Sequence, residues 1–129
     1  MTTTTDHILL VEDDRFLRRA AEATLRQRGF SVATAADGEE ALRQARSEAP
    51  ALILLDLIMP KIQGFEVLKQ LKADPATAGI PVIVMSNLGQ ERDVRQAMDA
   101  GAVAYFIKSN LSLQDLVKEV HRALKKGGP

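Results

Sequence analysis

The sequence predicts an α/β fold in which a parallel β-sheet carries helices on both faces, the arrangement called doubly wound. Three observations lead to this prediction: short apolar runs alternate strictly with longer amphipathic stretches, there are five of each, and four of the five runs are nearly continuous in hydrophobicity. Strands buried on both faces show such continuous runs. Strict alternation of strand and helix favours a parallel sheet between helical layers.

The five apolar runs are the predicted strands. They comprise residues 8–11, 31–34, 52–55, 82–85 and 103–107. The second run alternates more than the others between apolar and polar residues, so we place it at an edge of the sheet. Right-handed crossovers limit the possible topologies, but periodicity alone leaves the strand order open.

The five amphipathic stretches repeat apolar residues at helical spacing. Gly29 follows the first, Pro50 the second and Gly101 the fourth, and each is a residue that ends a helix. Ser112 has the N-cap position of the fifth. The predicted apolar faces are Leu17, Ala20, Ala21, Thr24 and Leu25; Ala41, Leu42, Ala45 and Ala49; Phe65, Leu68 and Leu71; Val94, Ala97 and Met98; and Leu113, Leu116, Val117, Val120 and Leu124.

The composition is that of a single globular domain. The 129 residues suit one domain, 1–129, with a core over about residues 7–126 and short flexible ends at 2–5 and 127–129. Basic and acidic residues number 17 each, which gives no charge footprint for nucleic acid or an anionic membrane. There is no cysteine, which excludes disulfides and thiolate chemistry. With neither a signal peptide nor an apolar run of about 18 residues, we expect a cytoplasmic protein.

Polar residues suited to phosphoryl transfer follow four of the five runs. Glu12 and Asp13 follow the first, Asp56 the third, Ser86 the fourth and Lys108 the fifth. The carboxyl ends of parallel strands meet at one edge of a sheet, where ligands bind. Carboxylates that converge there repel one another unless a hard divalent cation such as Mg²⁺ neutralises them. A carboxylate can then act as a nucleophile and form an aspartyl phosphate.

These residues also have ordinary structural interpretations. Asp13 or Asp14 could cap the first helix, and Asp56 could start the Met-Pro turn that follows it. A lone lysine or serine after a strand is usually solvated. We favour the functional interpretation because the groups occur together at four strand ends. The arginines at 15, 18 and 19 are interpreted as a solvated face of the first helix.

Four segments of the chain resemble the receiver domain of bacterial two-component response regulators. They are ILLVEDD (8–14), LDLIMPKIQG (55–64), PVIVMS (81–86) and AGAVAYFIK (100–108). Their order and spacing make the resemblance strong over roughly residues 7–126. It implies a flavodoxin-like three-layer sandwich whose five parallel strands have the order 2-1-3-4-5.

The resemblance also implies a metal site and a phosphoacceptor. Asp56 matches the aspartate that accepts a phosphoryl group from a sensor histidine kinase or a phosphotransfer protein. Asp13 matches the acid that binds Mg²⁺ directly, and Glu12 the acid that reaches it through water. Asp56 and the backbone carbonyl of Ile58 complete the implied ligands.

Three further residues match the family's response to phosphorylation. Ser86 and Lys108 match the hydroxyl and the ammonium that hold the phosphoryl group, and Tyr105 matches the aromatic switch residue. The implied output is a shift in the surface of the fourth helix, fifth strand and fifth helix, which controls a downstream protein target or a phosphorylation-dependent dimer. Such a domain assists its own phosphorylation and dephosphorylation and is not otherwise an enzyme.

The chain departs from the family pattern at three places. Ser109 stands where many receivers have a proline after a cis bond, so we predict a trans Lys108–Ser109 bond and a rearranged loop at 109–111. Asn87 stands where Ala or Gly is frequent and could narrow access to the phosphoryl group. Ile58 and Leu88 are apolar at positions that flank it, which predicts slow self-dephosphorylation.

Two alternative functions remain open from the sequence. An aspartate-nucleophile phosphatase also pairs an Asp with Mg²⁺, but it typically has a second Asp two residues later, where this chain has Ile58. A receiver-like module that binds proteins without being phosphorylated is the other, and the intact set of Glu12, Asp13, Asp56 and Lys108 argues against it. A nucleotide site has no support, because no Gly-rich loop follows the first strand.

Overall fold

The computed structural model describes residues 6–126, which form a five-stranded parallel sheet between two helical layers. The strands are β1 His7–Val11, β2 Ser31–Ala35, β3 Leu52–Asp56, β4 Val82–Ser86 and β5 Ala104–Ile107. The helices are α1 Arg15–Gln27, α2 Gly38–Glu48, α3 Gly64–Ala73, α4 Glu91–Asp99 and α5 Leu113–Lys126, with a 3₁₀ helix at Lys108–Asn110. The flexible ends predicted at 2–5 and 127–129 lie outside the described residues.

The strand order is β2-β1-β3-β4-β5, which confirms the predicted topology and the edge position of the second strand. β1 pairs with β2 on one side and with β3 on the other. The order in which the chain adds strands therefore reverses at β1. The carboxyl ends of β1 and β3 therefore flank the topological switch point, where ligands of such sheets bind. In register, Asp56 pairs with Met85, and Ser86 pairs with Ile107.

Alternate strand residues point to the two faces of the sheet and form two cores. One core holds Leu9, Val11, Ile53 and Leu55 of the sheet and is covered by α2, α3 and α4. The other holds Ile8, Leu10, Leu52 and Leu54 and is covered by α1 and α5. β1, β3 and β4 are buried almost throughout, which explains why their sequences lack the polar alternation of a half-exposed strand. β5 has an equally continuous apolar run, but it is the other edge of the sheet and is only half-buried, so the prediction that both its faces are covered is wrong.

The helix ends follow the predicted signals. Gly29 and Gly101 have φ of 94° and 112°, a left-handed conformation that glycine adopts without a steric penalty. Ser112 Oγ accepts a hydrogen bond from the Asp115 N–H at 3.0 Å, which confirms the predicted N-cap of α5. Ala20, Ala49 and Met98, placed on apolar faces from the sequence, are exposed, and Ala49 follows the end of α2 at Glu48. No helix among residues 6–126 is long and apolar enough to cross a membrane.

Candidate functional site

Three carboxylates converge where β1 and β3 end. One oxygen from each of Glu12, Asp13 and Asp56 lies within 4.8 Å of the others. Glu12 and Asp56 are buried, whereas Asp13 is exposed at the mouth of the crevice. The sheet therefore brings together the three acids that the sequence predicted as metal ligands, and it leaves one side of the cluster open to solvent.

Two neighbouring aspartates in the acidic loop after β1 have different roles. Asp14 Oδ1 accepts hydrogen bonds from the Phe16 and Leu17 N–H groups at 2.9 and 3.1 Å, so Asp14 caps α1. Its own N–H donates to Glu12 Oε2 at 3.1 Å. The sequence left open whether Asp13 or Asp14 has the capping role. Because Asp14 has it, the Asp13 carboxylate is available to the cluster.

Lys108 supplies the positive charge of the site from the end of β5. Its Nζ lies 2.7 Å from Glu12 Oε1 and 2.9 Å from Asp56 Oδ2. Only 16% of the Lys108 side chain is exposed, so both ion pairs are largely shielded from solvent. Charge pairs that are shielded in this way interact more strongly than pairs at the surface.

The two oxygens of Asp56 have different partners. Oδ2 accepts from Lys108, and Oδ1 accepts from the Ile58 N–H at 3.2 Å. The chain after Asp56 packs closely against the start of α3, where the Gly64 N–H donates to the Leu57 carbonyl at 2.9 Å. These backbone contacts hold the Asp56 side chain at the floor of the crevice.

The site carries more negative than positive charge. Burial raises the pKa of Glu12, and the nearby charge of Asp56 adds to the effect, so that the pKa reaches about 7 despite the hydrogen bond to Lys108. Burial opposes the charged form of Lys108, but its hydrogen bonds to Glu12 and Asp56 outweigh burial and raise its pKa. One ammonium therefore does not neutralise the three acids, and a second cation would relieve the excess charge.

The donor atoms fit a hard divalent cation. The three carboxylates offer oxygen ligands, which Mg²⁺ prefers. Glu12 Oε1 is buried and, among the described residues, has no well-directed hydrogen bond beyond its ion pair with Lys108. A buried oxygen of this kind suits coordination, directly or through water.

Ser86 and Tyr105 both contact the loop that follows β4. Ser86 is fully buried, and its Oγ accepts a hydrogen bond from the Leu88 N–H at 3.1 Å. The Tyr105 hydroxyl donates to the Leu88 carbonyl, and its ring packs against the core under α4. The two predicted switch residues are thus joined through one loop residue. Among the described residues, no hydrogen bond joins Ser86 to Asp56; the Ser86 hydroxyl is bonded to the Leu88 N–H instead.

Arg18 has a role that the sequence did not reveal. Its Nη1 donates to the Glu12 and Asp13 carbonyls at 2.8 and 3.2 Å, which fixes the backbone of the acidic loop. Arg15 and Arg19 are exposed, so the prediction of a solvated face is right for them and wrong for Arg18. The three arginines lie within one turn of each other in sequence, and nothing in their spacing distinguishes the one that turns back to the loop.

The loop after Lys108 bears out the expected trans geometry. Residues 6–126 contain no cis peptide bond, so Lys108–Ser109 is trans, and the chain forms the 3₁₀ helix Lys108–Asn110 instead. The Asn87 side chain, expected to narrow access, accepts a hydrogen bond from the Ser109 N–H at 3.1 Å through Oδ1. The two departures from the family pattern are therefore in contact.

A comparison with protein families assigns the chain. The family model described as "Response regulator receiver domain" matches residues 8–121 of this chain. The chain belongs to the response regulator receiver domain family. All the site residues described above lie within the matched range, and the observed sheet order and helices are those of a receiver domain.

In the curated relatives, the segment that matches this receiver domain is part of a longer protein. The chain is 41% identical over 115 residues to a gliding motility regulatory protein of Myxococcus xanthus. The aligned segment covers 89% of this chain and 15% of the relative. It is 39% identical over 101 residues to the transcriptional regulatory protein AfsQ1 of Streptomyces coelicolor, with 78% and 44% covered. The chain thus spans less than half the length of both relatives.

Solved receiver structures have the same fold. A CheY-like receiver domain protein from Methanospirillum hungatei superposes with a TM-score of 0.89 at 25% identity, covering 96% of this chain and 97% of the other. A putative response regulator from Chloroflexus aurantiacus superposes with a TM-score of 0.87 at 30% identity, covering 95% and 99%.

Proposed function

We propose that this receiver domain is a phosphoacceptor switch in which Asp56 accepts a phosphoryl group from the phosphohistidine of a sensor histidine kinase or a phosphotransfer protein. The observation that carries the proposal is the surroundings of Asp56. Its carboxylate is buried beside two further acids, with the Lys108 ammonium 2.9 Å away. Family membership supports the same role for this residue.

We assign the metal-binding role to the residues at the mouth of the crevice. The carboxylates of Glu12, Asp13 and Asp56, with the backbone carbonyl of Ile58, would hold Mg²⁺. When bound, the ion supplies positive charge that offsets these carboxylates and the oxygens of an incoming phosphoryl group. The exposure of Asp13 leaves this side of the site accessible to a donor.

The proposed transfer is an in-line displacement at phosphorus. A carboxylate oxygen of Asp56 forms the new bond to phosphorus, while the bond from phosphorus to the donor histidine nitrogen breaks and leaves its electron pair on that nitrogen. Lys108 and Ser86 then hold the phosphoryl oxygens through an ammonium and a hydroxyl. Because phosphoryl transfer depends mainly on positioning and charge, this small set of groups is sufficient.

The proposed signal leaves the site through the loop after β4. The phosphoryl group carries roughly −1.5 to −2 charges in place of the single charge of the Asp56 carboxylate, and its oxygens attract the Ser86 hydroxyl and so move the loop. In that loop, the Leu88 N–H donates a hydrogen bond to Ser86 Oγ, and the Leu88 carbonyl accepts one from the Tyr105 hydroxyl. We infer that Tyr105 carries the change to the surface of α4, β5 and α5, where a downstream protein or a second copy of the chain binds.

Binding of a phosphoryl mimic tests the proposed function. Beryllofluoride with Mg²⁺ should shift the NMR amide signals of Asp56, Ser86 and Lys108 and should leave the Asp56→Asn variant unchanged. Identical shifts in the two proteins would show that the mimic binds elsewhere, and the absence of any binding would favour the unphosphorylated module.

Incubation with phosphate esters and Mg²⁺ tests the other alternative. Sustained hydrolysis of the esters would favour the phosphatase.

A further inference from the structure

A single hydrogen bond joins the residues that follow two members of the site. Asn87 comes directly after Ser86, and Ser109 comes directly after Lys108. The Asn87 Oδ1 atom accepts from the Ser109 N–H at 3.1 Å. The last paired residues of β4 and β5 are Ser86 and Ile107. The side chain of Asn87 therefore continues the contact between these two strands beyond the end of the sheet.

Ser109 needs a hydrogen-bond acceptor from outside its own segment. It lies in the first turn of the 3₁₀ helix Lys108–Asn110, and the first N–H groups of a helix have no partner within it. Ile107, the residue before this helix, provides no side-chain cap. Asn87 supplies that cap from the neighbouring loop, because its amide oxygen can accept the Ser109 N–H.

This contact bears on the reach of Lys108. On one side of Lys108, Ile107 is held in the sheet opposite Ser86; on the other, Ser109 is held by Asn87. The backbone of Lys108 is thus fixed at both neighbours. A lysine side chain has four rotatable bonds and loses much conformational entropy when it is ordered. A fixed backbone limits the positions that Nζ can occupy and so favours those in which it contacts both carboxylates.

We propose that Asn87 is a positioning residue, which holds Lys108 against Asp56 by accepting the Ser109 N–H. The consequence for the rate of phosphorylation rests on the function proposed above for Asp56. The Tyr105 hydroxyl provides a second link between β5 and the same loop, through the Leu88 carbonyl. Together the two contacts connect the loop after β4 to the segment that carries Lys108.

Three substitutions of Asn87 separate this role from simple obstruction of the crevice. Asn87→Leu keeps the size of the side chain and removes the acceptor, Asn87→Ala removes both, and Asn87→Asp keeps both. Asn87 is exposed, so none of them disturbs the core. We expect the Leu and Ala variants to accept phosphate from acetyl phosphate about five- to tenfold more slowly, which is the worth of one hydrogen bond. Their melting temperature should fall by no more than about 5 °C, the effect of losing one hydrogen bond at the surface, and their Mg²⁺ affinity should stay as in the wild type.

Amide hydrogen exchange at Ser109 reads the contact without any phosphorylation. Its protection should fall in the Ala and Leu variants and should persist in the Asp variant, whose carboxylate still accepts. Unchanged protection in Asn87→Ala would overturn the proposal, and so would a phosphorylation rate in Asn87→Ala at or above that of the wild type, the sign of an obstructing side chain. A wild type that takes up no phosphoryl group would count against the proposed function, while the exchange data would still decide the role of Asn87.

Discussion

Gly64 controls the backbone that carries Asp56. A Cβ atom at Gly64 would lie 2.3 Å from Leu57 Cα and 2.6 Å from the Asp56 carbonyl oxygen. Backbone atoms cannot give way as the end of a flexible side chain can. Gly64→Ala should therefore lower the free energy of unfolding by about 3 kcal/mol, as severe overpacking does, and chemical denaturation would measure it.

Gly79 is the matched control for that substitution. An added Cβ there meets nothing within 4 Å, so Gly79→Ala should change the free energy of unfolding by less than about 1 kcal/mol. Equal stabilities of the two variants would show that the close approach of α3 to the Asp56 backbone is not a constraint on the fold.

We predict that Ile58 and Leu88 affect how long a phosphoryl group persists on Asp56. Both line an apolar pocket that also includes Phe65, and Ile58 is 57% exposed. Neither side chain can orient an attacking water, so we predict slow hydrolysis of the aspartyl phosphate. Ile58→Asn should hydrolyse about tenfold faster because its amide can hydrogen-bond water, and the comparison with Ile58→Leu separates polarity from size. Loss of phosphate from the wild type within seconds would contradict this prediction.

Single residues show where the sequence stops being informative. It identified the carboxylates and the lysine, because the ends of parallel strands must share an edge of the sheet. It did not decide between Asp13 and Asp14 as the cap of α1, since both positions satisfy the spacing. It also missed Arg18 and the Asn87 contact, which depend on how long side chains fold back on loops rather than on any periodic pattern.

At the scale of single elements, the start of α1 separates stability from metal binding. Asp14 caps two N–H groups of the helix, whereas Asp13 caps none and faces the acid cluster. Asp14→Ala should lower the free energy of unfolding by about 1 kcal/mol and leave Mg²⁺ affinity nearly unchanged. Asp13→Ala should weaken Mg²⁺ binding and cost little stability.

Thermal denaturation and Mg²⁺ titration of these two variants give both quantities. The prediction fails if Asp13→Ala loses stability and Asp14→Ala loses Mg²⁺ affinity, which would reverse the two roles. Each variant is the control of the other, because the substitutions are the same and the positions are adjacent.

The element boundaries illustrate how local signals and tertiary packing share control. The predicted strand at 31–34 extends to Ala35, and the one predicted at 103–107 begins at Ala104, although the Val103 N–H already donates to the Val82 carbonyl at 2.9 Å. Only Ala97 of α4 is buried, so a helix with a clear apolar repeat in sequence is held by a narrow stripe. Periodicity predicts where an element lies, and packing decides how much of it is covered.

For the whole molecule, Mg²⁺ should act as a stabilising ligand. Three carboxylates share the crevice with one ammonium, and an ion that binds the folded state alone stabilises it by mass action. At a Mg²⁺ concentration of about one hundred times Kd, the free energy of unfolding should rise by about 2.7 kcal/mol. Removing Mg²⁺ with EDTA should reverse the change. An equal increase in Asp13→Ala would show that the ion binds elsewhere.

The global fold was the most predictable feature of the chain. Five apolar strands alternating with five amphipathic helices leave few arrangements other than a doubly wound sheet. The strand order followed from the resemblance to receiver domains, because the apolar pattern does not record which strands are neighbours. The edge position of β2 was visible in its polar alternation, since one side of an edge strand is less completely covered.

The most direct test of the central claim is the intact mass of the protein after treatment with acetyl phosphate and Mg²⁺. We predict that the wild type gains the mass of one phosphoryl group, that the gain is lost in alkali as expected for an acyl phosphate, and that Asp56→Asn gains nothing. A wild type of unchanged mass, or the same gain in Asp56→Asn, would contradict the assignment of Asp56 as the phosphoacceptor.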